Sequence, residues 1–159
     1  MANLIAARSW VKGFQPAYSM GDHFTIVWKT AVTLGFKKGD AVIQSGADVT
    51  LALSNSGALY GVAGADAAIG DTVPIFVGDR NNVFVGQITA ADVSASAWPL
   101  ECDIEGGTGA MLVNHDASTE DVIYIIEPVA EDDKTDTTTG CRVYFQILRS
   151  TYDLLIAAR

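Results

Sequence analysis

His115-Asp116, with Glu120 and Asp121 a few residues on, is where a general base or metal ligand would first be sought in this sequence. A histidine titrates near neutral pH, and an adjacent carboxylate can orient its ring and hold its proton. Such a pair needs a nucleophile or a second ligand, and the flanking residues supply neither. The stretch reads as a polar turn before a strand at Val122. His23 beside Asp22 reads as the cap of a strand entry. Glu131-Asp132-Asp133 with Asp136 offers the hard oxygens that divalent cations prefer, without the ligand order of a calcium-binding loop. It reads as a solvated loop. Gly106-Gly107-Thr108-Gly109 is followed by no Gly-Lys-Ser/Thr, and Glu101, Asp103 and Glu105 would repel phosphate. Gly61-Val62-Ala63-Gly64 departs from dinucleotide-binding spacing and no helix follows it. Cys102 and Cys141 form no Cys-x-x-Cys pair, and two histidines cannot complete a finger-spaced zinc site. They read as small buried thiols of a reducing compartment. Trp10, Trp28 and Trp98 have the rings for stacking on sugars, but they lie in three segments and read as core. The expectation is a chain with no catalytic residue, no cofactor and no metal, and so not an enzyme.

The elements that would position these residues are strands. Two Gly-Asp-x-Val steps, Gly39-Asp40-Ala41-Val42 and Gly70-Asp71-Thr72-Val73, each open an apolar run. Glycine takes positive φ freely, aspartate can accept from nearby backbone amides, and the valines suit a half-buried pleated surface. Residues 23–36, HFTIVWKTAVTLGF, are rich in β-branched and aromatic side chains. Further strands are expected at Ala41–Gln44, Val49–Leu53, Leu59–Ala63, Thr72–Val77 and Val83–Ile88, separated by turn-rich clusters. Small residues over 58–69 would let backbones approach closely. One short helix is expected at Ala90-Ala91-Asp92-Val93, capped by Thr89 and stopped before Pro99. Met111–Val113, Val122–Ile126 and Arg142–Ser150 complete the strands. Short strands at this spacing predict an all-β fold, a small β-barrel or β-sandwich with tight Gly-Asp turns and at most one or two short helices. Residues 1–22 read as an N-terminal arm without clean periodicity. Residues 23–159 read as one β-rich domain, with the second half, 89–159, a candidate for a distinct subdomain.

The 159 residues suffice for one core, and 49% of them are apolar against 18% charged, which argues against disorder. No apolar run approaches the roughly 20 residues of a membrane helix. The start, MANLIAARSWVKGF, does not read as a signal peptide, because Arg8, Trp10 and Lys12 interrupt its apolar stretch. A protein made and kept in the cytoplasm is expected. The net charge of −9 is unevenly placed. Residues 1–40 carry Arg8, Lys12, Lys29, Lys37 and Lys38 against Asp22 and Asp40, whereas residues 41–159 hold five basic and seventeen acidic groups. Such a surface repels phosphate backbones, so neither nucleic acid nor membrane is an expected partner. The basic start suits an acidic partner.

The segment 36–87 resembles the head decoration (cement) proteins of tailed bacteriophages. The residues that carry the resemblance are Phe36-Lys37-Lys38-Gly39-Asp40-Ala41-Val42, Leu59-Tyr60-Gly61-Val62-Ala63 with Ala67-Ala68, and Ile69-Gly70-Asp71-Thr72-Val73-Pro74-Ile75. They span about a third of the chain. The resemblance implies a small β-barrel on the outer surface of a phage capsid, made in the host cytoplasm and carried on the virion. It implies a homotrimer that binds the major capsid protein and clamps neighbouring subunits. Under it, the capsid contact falls to the arm, through Arg8, Trp10, Lys12 and Phe14. Removing residues 1–18 is then expected to abolish binding and leave the domain folded. The alternative is a carbohydrate- or receptor-binding β-sandwich module with exposed aromatics in one groove.

Overall fold

The computed structural model describes residues 13–21, 23–138 and 140–152. Over these residues the chain is a small all-β sandwich of two antiparallel sheets. Eleven strands are described: β1 Gln15–Ser19, β2 Ile26–Thr30, β3 Ala41–Ser45, β4 Asp48–Leu51, β5 Gly61–Ala63, β6 Thr72–Val77, β7 Asn82–Gln87, β8 Leu100–Glu105, β9 Leu112–Asn114, β10 Ile123–Pro128 and β11 Arg142–Ile147. One sheet runs β1-β7-β11-β10-β8-β9 and the other β2-β6-β5-β3-β4. Each sheet curls on itself. A parallel bridge joins Ala31, just after β2, to Val49 of β4, and another joins Ile88, just after β7, to Val113 of β9. The expected barrel character survives as this edge closure within a sandwich.

The two Gly-Asp steps form one repeated device. Gly39 and Gly70 take φ of 91° and 96° at the third position of turns 37–40 and 68–71, as a type II turn requires. Each aspartate amide donates to the carbonyl three residues back, Lys37 or Ala68, at 3.0 Å. Each carboxylate accepts from that residue's own amide, at 2.8 and 2.9 Å. The turns are also locked to each other. Phe36 and Ala67 exchange backbone bonds at 3.0 and 2.9 Å. Gly39 and Asp40 bracket Ala63, with bonds of 2.9 Å each, as Gly70 and Asp71 bracket Ala31, at 2.8 and 2.9 Å. Close approach in the 58–69 stretch is visible at Gly61, where a Cβ would lie 2.2 Å from the Phe76 carbonyl oxygen.

Three expectations change. Within the arm read over 1–22, Gln15–Ser19 form β1, which pairs with β7. Phe14 is 1% exposed and stacks edge-on to Phe145 with ring centroids 4.9 Å apart. Gly86 makes the room: a Cβ there would come within 2.5 Å of the Phe14 ring. The helix at 90–93 does not form. Val93 is buried and its amide donates to the Lys134 carbonyl at 2.8 Å, while Asp92 folds forward onto the amide and hydroxyl of Ser94. Tertiary packing outweighs a marginal helix propensity there. Finally, β8 to β11 share a sheet with β1 and β7, and one continuous hydrophobic core joins both sheets, so 89–152 is not a separate subdomain.

Candidate contact surface

Gly13 packs against the Gly39-Asp40 turn. A Cβ there would meet the Gly39 carbonyl oxygen at 2.8 Å, and Phe14 donates its amide to the same carbonyl at 2.7 Å. Gly13 and Phe14 thus lie beside the turn that carries Lys37 and Lys38. That turn is rigid. Asp40 is fully buried, and its two oxygens accept from the Lys37 amide at 2.8 Å and from the Gly109 amide at 2.9 and 3.1 Å. Burial pushes the Asp40 carboxyl above its ordinary pKa, against the lowering effect of these bonds. Lys37 pairs with Asp66 at 3.2 Å with both side chains more than half exposed, an arrangement of little stabilising value. Asp66 also accepts the Lys38 amide at 2.8 Å, and that bond, with the Lys37 side chain, holds its carboxyl below the usual range.

Of the four residues expected to contact a partner, Arg8, Trp10 and Lys12 lie outside the described residues. Phe14 is withdrawn from the set, since its ring is in the core of the sandwich. Residues 13–19 are structural, so removing residues 1–18 would strip out Phe14 and most of β1, contrary to the expectation that such a truncation folds.

The other candidate groups are placed as follows. His115 has a side chain 8% exposed, with Nε2 3.0 Å from Asp116 Oδ1 and Nδ1 3.4 Å from Thr89 Oγ1. The Thr89 partner, 26 residues away, was invisible to local reading of the sequence. Asp132, from the acidic loop, is mostly buried and forms a two-pronged pair with the Arg142 guanidinium, Nε to Oδ2 at 2.7 Å and Nη2 to Oδ1. It also accepts the Arg142 amide at 2.8 Å. Burial pushes the Asp132 carboxyl up, but the Arg142 hydrogen bonds and charge outweigh it and hold the group below its ordinary value. Asp103, also buried, accepts three successive amides, those of Thr119, Glu120 and Asp121, at 2.7–3.1 Å. These carboxylates tie loops down. Among the described residues, no group of three or more His, Cys, Asp or Glu is placed to hold a metal ion. Cys102 and Cys141 are free and buried. Trp98 packs against the core, whereas Trp28 stands 65% exposed. No described helix is long and apolar enough to cross a membrane.

No protein-family model matches the sequence, and no curated protein matches it either.

Proposed function

We propose that this protein is a structural subunit that decorates the outer surface of a phage capsid and braces contacts between major capsid subunits. The observation that carries the reading is the seating of the N-terminal segment against the Gly39-Asp40 turn. Gly13 and Phe14 lie against the turn that carries Lys37 and Lys38, and Arg8 and Lys12 precede Gly13 in the sequence, four of the ten basic residues of an otherwise acidic chain. A positive corner on a negative body orients the molecule toward an acidic shell and keeps its outer side from binding a second one. The paired Gly-Asp turns that carry the resemblance to decoration proteins are the framework of that corner. Self-association of the subunit would multiply weak individual contacts. A carbohydrate-binding reading has less support, because Trp28 and Trp98 are not gathered and the Tyr18 and Tyr144 rings are inclined at 60° to each other.

The test is to compare the whole chain with a variant lacking residues 2–12 for pelleting with purified expanded phage shells. The truncation spares Phe14 and β1, so it should fold and lose binding. Full binding by the truncated protein would remove the arm from the contact.

A further inference from the structure

We infer that β2 pairs with β2 of a second copy of this chain. Four strands end the two sheets, and three are guarded. β1 carries Pro16 and an irregular register between Pro16 and Tyr18. β9 is three residues long and its Val113 bridges Ile88. Val49 of β4 bridges Ala31 and accepts the Val32 amide at 2.9 Å. β2 is different. Its odd-numbered residues face β6: the Thr25 carbonyl accepts from Val77 at 3.1 Å and the Ala31 amide donates to Asp71 at 2.9 Å. Its even-numbered residues therefore turn their backbone groups to the other edge. There Thr30 is covered, its amide donating to Asp48 Oδ1 at 3.1 Å. Ile26 and Trp28 have no backbone partner on that edge among the described residues. Their side chains are 46% and 65% exposed on one face. Proteins blunt such apolar open edges unless they are used.

A second β2 fits this edge in one antiparallel register. Centring the two-fold on Val27 sets Ile26 opposite Trp28 of the second copy, and Trp28 opposite its Ile26. Both residues point their amides and carbonyls outward, so the register closes two reciprocal hydrogen-bonded pairs. It also makes two aromatic-on-β-branched cross-strand contacts on the exposed face. On the opposite face, Lys29 falls against Thr25 of the second copy, whose hydroxyl donates to Asp79 at 2.8 Å. The Lys29 ammonium keeps its own bond to the Ala47 carbonyl at 2.6 Å, and no like charges oppose across the pair. A contact of this kind, the same patch on both copies, closes at two subunits.

Pairing through β2 does not depend on what the protein decorates. Light scattering and sedimentation of the full chain over a concentration series should show a species of twice the monomer mass. Trp28→Lys should weaken it about thirtyfold or more, the loss expected for a central aromatic anchor, with an unchanged circular dichroism spectrum. Ile26→Lys and Trp28→Glu should each be monomeric alone. Mixing the two variants should restore the dimer, since the register sets the new lysine of one copy against the new glutamate of the other. A monomer at every concentration, or a dimer or trimer indifferent to Trp28→Lys, overturns the β2 pairing. A trimer that still pellets with shells overturns it while leaving the decoration reading in place.

Discussion

Replacing Asp40 with alanine should destabilise the fold far more than replacing Asp71, although the two occupy equivalent turns. Both carboxylates accept the amide three residues back, at 2.8 and 2.9 Å. Asp71 is exposed, so water can replace it. Asp40 is fully buried and also holds Gly109 of the opposite sheet's β8–β9 turn. Removing it strands the Lys37 and Gly109 amides. At about 1–3 kcal/mol for each donor left without an acceptor, and with both amides only partly shielded, the loss is about 2–4 kcal/mol. For a domain of this size that lowers Tm by about 6–12 °C. Asp71→Ala should cost less than about 1 kcal/mol. Thermal unfolding followed by circular dichroism at pH 7 compares them directly. The pH profile adds a second check. Burial raises the Asp40 carboxyl above its ordinary 3.8. A raised folded pKa contributes stability that is fully present below 3.8 and is lost as pH rises through the folded value. Asp40→Asn should remove that decline and cost less than alanine. Equal Tm changes for the two alanine variants would refute the claim that Asp40 ties the sheets together.

Other consequences follow from single contacts. Gly61→Ala sets a Cβ 2.2 Å from the Phe76 carbonyl and must push β5 off β6, so it should unfold or aggregate on expression, whereas Gly107→Ala, with nothing within 4 Å, should leave Tm within about 2 °C. Asp132→Asn should cost about 3 kcal/mol or more at pH 7 by unpairing buried Arg142, measured by urea unfolding. Because the folded Asp132 pKa lies below 3.8, the wild-type contribution is present above 3.8 and lost as pH falls through the folded value, and the variant should lack this acid loss. Cys102, its thiol pushed up to about 12 by burial and then by Asp103 and Asp121, should resist iodoacetamide at pH 8 until urea unfolds the chain.

Much of the fold was legible because its rules are local. A Gly-Asp turn closes within four residues, and Thr72–Val77 was bounded correctly by the turns on either side of it. Where partners are distant, the sequence was silent. Nothing near Phe14 announces that Gly86 leaves space for its ring. The segment 89–93 has a cap and small residues, but the Lys134 carbonyl takes the Val93 amide. Trp28 read as one more core tryptophan because alternation gives two faces without saying which is covered. That depends on sheet order, which places β2 at an edge. The charge asymmetry was legible in the sequence, whereas the placement of Phe14 beside the Lys37-Lys38 turn needed its pairing with Gly39.

Capsid decoration is tested most directly by one measurement: co-sedimentation of the purified full chain with expanded tailed-phage heads, with the bound copies counted against the major capsid protein. Saturable binding is predicted at a fixed ratio to capsid subunits, on the outside of the shell, lost when residues 2–12 are removed. A chain that stays in the supernatant at every concentration and salt would contradict it.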